Sequence, residues 1–95
     1  MTSTAGPAPL VHTDRPAAPS YRRVAVRAIG GVDGLFRIVG LLRERRYRVR
    51  DMSVDVREGV VESTVRCTVL LNGDDLGLLL HRLRRLPQVV LADED

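Results

Sequence analysis

The apolar residues change period at Asn72-Gly73-Asp74, and this switch constrains the fold more than any other feature of the chain. Before it, Val61, Val65, Cys67, Val69 and Leu71 share one parity, against Glu62, Thr64, Arg66 and Thr68 on the other. A period of two is the mark of a strand with one buried and one wet face, and it predicts a strand over residues 60–71. After it, Leu76, Leu79, Leu80, Leu83 and Leu86 recur at helical spacing until Pro87 stops them.

The same succession occurs upstream. Val24, Val26 and Ala28 alternate with Arg23, Ala25 and Arg27, and Gly30-Gly31 breaks the run. Asp33 is expected to cap a helix whose apolar face is Leu35, Ile38, Val39 and Leu42. Gly40 inside that helix costs roughly 1 kcal/mol against alanine and is expected to mark a close backbone contact. A second strand is predicted over residues 49–57, with Met52, Val54 and Val56 on one face. Val49 is out of register with them, which predicts a bend or bulge near Asp51. Glu58-Gly59 is a hairpin turn signal. Residues 88–92 form a last short strand, and Asp93-Glu94-Asp95 an acidic end in solvent.

Strand, helix, strand, strand, helix, strand with right-handed crossovers predicts an α+β, ferredoxin-like βαββαβ sandwich. Its four-stranded antiparallel sheet carries both helices on one face. The other face bears Arg, Thr, Glu and Ser and is open to water or to a partner.

Residues 1–20 hold all but one of the five prolines and show neither period, so they are expected to be a disordered tail. Residues 21–95 are the expected folded domain. About 72 ordered residues give a marginal core, which a second copy would supplement, so a homodimer is expected. No apolar run approaches the length of a membrane span. One cysteine, with neither a basic leader nor an apolar h-region, predicts a cytoplasmic chain.

All 15 basic residues are arginine, against 12 acids, for a net charge of +3. That is ordinary solubility charge. Aromatic residues make up only 3%, so bases would find no stacking platform, and nucleic acid is not an expected partner. Catalysis is not expected either. His12 falls in the tail, His81 lies off the leucine stripe, and Cys67 alternates with core valines. No metal-ligand spacing is present, and no cofactor is expected in this chain.

Two segments remain as candidate sites. Gly30, Gly31, Val32, Asp33, Gly34 and Leu35 join a strand to a helix N-terminus, where free N–H groups and the macrodipole favour a carboxylate. The competing reading is a plain turn, with Asp33 filling the donors itself and repelling an anion. Arg43, Arg45, Arg46, Arg48 and Arg50 form the densest charge cluster. They read either as a solvated helix end or as a docking patch for an acidic partner.

Residues 22–93 resemble an ACT domain, and within that group the small regulatory subunit of bacterial acetolactate synthase (acetohydroxyacid synthase). The carriers are LFRIVGLLRERRYRVRDMSV at residues 35–54 and LNGDDLGLLLHRLRRLPQVV at residues 71–90. The resemblance implies a noncatalytic subunit of branched-chain amino-acid biosynthesis that activates a thiamine-diphosphate-dependent large subunit. Thiamine diphosphate, Mg²⁺ and flavin would belong to that partner. It also implies a dimer paired through the first helix and the second strand. Effector-responsive members carry Asn, then Pro-Gly, in the first loop. Here Gly30 stands at the Asn position and Val32-Asp33 at the Pro-Gly pair. The chain is therefore more similar to the short subunits that activate but respond poorly to valine. The alternative is a stand-alone ACT-domain sensor binding a small amino-acid effector at the dimer interface.

Overall fold

The computed structural model describes residues 18–58 and 61–95. Six elements follow in order: β1 (Ser20–Ala28), α1 (Gly31–Glu44), β2 (Arg48–Asp55), β3 (Ser63–Leu71), α2 (Gly73–Arg84) and β4 (Val89–Glu94). The strands form one sheet in the order β2-β3-β1-β4, every pair antiparallel. This is the ferredoxin-like α+β sandwich expected from the alternation of periods. The expected tail falls almost wholly in residues 1–17, outside the described residues, as does Gly59 of the hairpin turn. β1 begins at Ser20, one residue before the expected boundary.

The core lies between the helices and the inner parity of the two central strands. Val24, Val26 and Ala28 of β1 pack with Val65, Cys67, Val69 and Leu71 of β3. Ile38 and Leu42 of α1, and Leu76, Leu79 and Leu83 of α2, close over them. Ile38, Leu79 and Leu83 are at most 1% exposed, and each contributes roughly 1.5–3 kcal/mol of apolar burial.

The register explains the anomaly at Val49. Val49 pairs with Val69, but the next partner, Thr68, belongs to Asp51, so Arg50 is an extra residue in β2. That bulge returns Val49 to the face of Met52 and Val54, where the core lies.

Several local expectations are corrected. Asp33 does not cap α1. The N-cap is Gly30, with no side-chain hydrogen bond, and Asp33 lies in the first helical turn. Gly40 marks no close contact, for a β-carbon there would meet nothing within 4 Å. Val61 is exposed, and Ser63 takes its place in the buried row. The Ser63 hydroxyl accepts from the Arg57 N–H at 2.8 Å and donates to the Arg57 carbonyl at 3.2 Å, so a polar group is buried with its bonds made. β2 ends at Asp55, and β4 runs on to Glu94. Asp93, Glu94 and Asp95 are not a loose acidic end: each pairs with arginine. α2 matches its sequence signal, with the Asn72 side chain accepting from the Asp75 N–H at 2.8 Å as its cap.

Candidate functional site

The loop from β1 to α1 is built by backbone. Ile29 N–H donates to the Gln88 carbonyl at 2.9 Å, tying the loop to the residue before β4. Gly30 and Gly31 both have positive φ, at 93° and 57°, which turns the chain sharply into the helix. The Gly30 carbonyl then accepts from the N–H groups of Asp33 and Gly34. Gly34 is buried, and its lack of a side chain lets α1 start directly against Ile29. Leu35 is half-buried against the core, while Val32 is exposed.

Two acids surround this helix start. Asp33 sits in its first turn, where the positive end of the helix dipole favours it. The Glu58 carboxylate reaches over from the end of the β2 side; a β-carbon on Gly31 would lie 3.4 Å from both of its oxygens. An incoming carboxylate would therefore face two resident ones. Among the described residues nothing bonds Gln88 Oε1, which is buried beside Gly30.

The arginine cluster divides in two. Arg50 turns to the open face of the sheet, where its guanidinium lies 4.8 Å from the Tyr21 ring centre and 3.6 Å from Asp51. Arg43 is exposed in the last turn of α1. Arg45, Arg46 and Arg48 instead line a groove of about 330 Å³ at the end of the sheet opposite the glycine loop. α2 completes it with Leu78 and Arg82, and Tyr47 and Leu70 also line it. Arg82 Nη1 donates to the Tyr47 hydroxyl at 2.9 Å. Leu78 and Arg82 were not legible as site residues; their only sequence signal is i, i+4 spacing off the leucine stripe.

A larger groove of about 400 Å³ lies on the open face, lined by Arg23, Arg50, Arg66, Ser53 and Thr68 among others. Its three arginines each already face an acid. Asp95 lies 3.4 Å from Arg23 and 3.6 Å from Arg66.

Reactive groups are sparse. Cys67 is buried, and burial, with a smaller push from Asp51, raises its thiol to about 11. It is a protonated core residue at neutral pH. His81 is exposed on α2. Among the described residues no group of three or more His, Cys, Asp or Glu side chains is arranged to hold a metal. No helix among them is long and apolar enough to cross a membrane.

No protein-family model matches the sequence, and no curated protein does. Solved structures do. The crystal structure of the ACT domain from GTP pyrophosphokinase of Chlorobium tepidum superposes with a TM-score of 0.73 at 15% identity, covering 82% of this chain and 100% of that one. The solution structure of the same domain gives a TM-score of 0.70 at 15% identity, covering 81% of this chain and 86% of the other. At that identity the likeness is one of fold: the chain has the βαββαβ fold of an ACT domain.

Proposed function

We propose that this chain is a noncatalytic regulatory domain that works by binding other chains. The observation that carries this reading is an uncovered apolar stripe on α1. Val32, Phe36 and Val39 are spaced to share one face of the helix and are 44%, 65% and 36% exposed. Val54 of the edge strand β2 is also exposed on the helix-bearing side of the sheet. A second copy seated against α1 and β2 would bury these side chains and supplement a small core.

The finer part of the proposal names the partner: the catalytic large subunit of an acetolactate synthase. Its support is the residue pattern at positions 35–54 and 71–90, not the solved structures, which bear on the fold. In this reading Arg43, Arg45, Arg46, Arg48 and Arg50 belong to the docking side. The chain acts by population shift, binding the active arrangement of the large subunit more tightly than the inactive one. Thiamine diphosphate, Mg²⁺ and flavin stay with that subunit. Mixing the purified chain with a large subunit tests it. Co-elution and a rise in synthase activity are the expected results; no association at micromolar concentration overturns the partner assignment.

A second reading has one observation in its favour. The unbonded Gln88 Oε1 beside Gly30 could accept from the ammonium of a branched-chain amino acid bound at residues Gly30, Gly31, Val32, Asp33, Gly34 and Leu35. Glu58 and Asp33 oppose its carboxylate. Calorimetry with valine, leucine and isoleucine separates the two readings. Heat lost on substituting Gly31 favours the sensor; flat titrations across all twenty amino acids remove it.

A further inference from the structure

Charge is unevenly paired over this molecule. Ion pairs join Arg22 to Glu94, Arg23 and Arg66 to Asp95, and Arg50 to Asp51. Two more join Arg57 to Asp55 and Arg84 to Asp93. Among the described residues, Arg27, Arg37, Arg43 and Arg85 stand outside these pairs, and so do Arg45, Arg46, Arg48 and Arg82, whose four guanidinium groups are gathered around the groove at the C-terminal end of α1. The acid on its rim, Asp75, makes no ion pair with them and lies in the first turn of α2, where the helix dipole favours it.

The groove is more than a cationic patch. Leu70 and Leu71 line it, and Leu78 stands 43% exposed at its side. The Tyr47–Arg82 hydrogen bond spans β2's entrance and α2, fixing one guanidinium in place.

The turn entering the groove is strained at one residue. Tyr47 N–H donates to the Leu42 carbonyl at 3.0 Å and Arg46 N–H to the Arg43 carbonyl at 3.1 Å. This is the Schellman closure of a helix, whose left-handed position glycine usually fills. Here Arg46 fills it, with φ 59°, although its β-carbon disfavours that conformation. A fold-driven choice would be glycine; arginine at this point adds charge to the groove instead.

We propose that this groove binds an acidic segment of a partner protein, an extended stretch whose carboxylates flank an apolar side chain. Carboxylates match the planar donors of unpaired arginines, and the apolar side chain covers Leu78 and Leu70. A purely ionic ligand would leave the leucines wet, and a nucleic acid would find no stacking surface beyond Tyr47, whose hydroxyl is engaged. The proposal rests on the reading of the chain as a partner-binding domain but not on the identity of the enzyme.

The probe is a fluorescein-labelled peptide of repeating Glu-Asp-Leu, titrated into the full chain and followed by anisotropy. Binding is expected to weaken about tenfold or more in the Arg45→Glu, Arg48→Glu double variant, both sites being exposed and unpaired. Arg23→Glu, on the open sheet face, is expected to leave it unchanged. Arg46→Gly is expected to raise the melting temperature yet weaken the peptide, opposite movements that a purely structural arginine would not give. Equal binding by the double variant overturns the proposal. So does equal binding of a Glu-Asp-Ser peptide, or tighter binding of single-stranded RNA. A large subunit that co-elutes equally with wild type and double variant overturns the groove alone. One that ignores wild type, while the peptide binds, overturns only the choice of enzyme.

Discussion

A β-carbon on Gly34 would run into the carbonyl oxygen of Ile29. The start of α1 is thus fitted to the end of β1 at a distance only glycine allows. Gly34→Ala is expected to cost about 1–3 kcal/mol, because the obstacle is backbone and has no rotamer to yield. Gly40 in the same helix meets nothing within 4 Å, so Gly40→Ala is expected to stabilise by about 0.5–1 kcal/mol. Urea melts of both variants check the pair. A destabilised Gly40→Ala with an unaffected Gly34→Ala would reverse the assignment of which glycine is structural.

Ser63 gives a second test. Its hydroxyl makes both bonds to the Arg57 backbone and joins the chain after β2 to the start of β3. Ser63→Ala leaves a partly buried N–H and carbonyl without that partner, at an expected cost of about 1–3 kcal/mol. Amide exchange at Arg57 is expected to quicken. Unchanged exchange and stability would mean that water replaces the hydroxyl without loss.

The fold was legible because one period follows another: Val65, Cys67, Val69 and Leu71 at two, then Leu76, Leu79 and Leu83 at helical spacing, all of them buried. The capping at Asn72 was legible too, because its signal is local. Ser63 was not, because its parity turns it inward while its hydroxyl breaks the apolar row. Asp33 carries an ambiguous signal, because an acid in a first turn and an acid at a cap share a sequence signature. At the candidate sites, the arginines of one segment were visible, but their division between the groove and the open face of the sheet was not. Leu78, Arg82 and Glu58 come from elements distant in sequence, and only the packed fold brings them to the groove and the glycine loop.

Cys67 predicts a dependence on high pH. Burial raises its thiol from an ordinary value of 9.0 to about 11. A group with a raised folded value contributes stability that is complete below the unfolded value and lost as pH rises through the folded one. The wild type is therefore expected to lose stability relative to Cys67→Ala between about pH 9 and 11. At neutral pH the native thiol is expected to react with a disulfide reagent only as fast as the chain opens. Rapid modification under native conditions would place Cys67 outside the core.

Arg22 and Glu94 predict the opposite edge of the pH range. Arg22 Nε donates to Glu94 Oε2 at 2.8 Å and Nη2 to Oε1 at 3.1 Å, a two-point clasp between β1 and the end of β4. The hydrogen bond from Arg22 and then its charge hold the Glu94 carboxyl below its ordinary 4.5. A lowered folded value contributes stability that is present above the unfolded value and lost as pH falls through the folded one. Both groups are solvent-facing, so the effect is small and salt-sensitive. Arg22→Gln is expected to melt slightly below wild type near neutral pH. The gap is expected to close progressively as the solution is acidified below the ordinary carboxylate value, and to narrow in high salt. A gap that persists with Glu94 protonated would assign the loss to packing of the Arg22 stem instead of the ion pair.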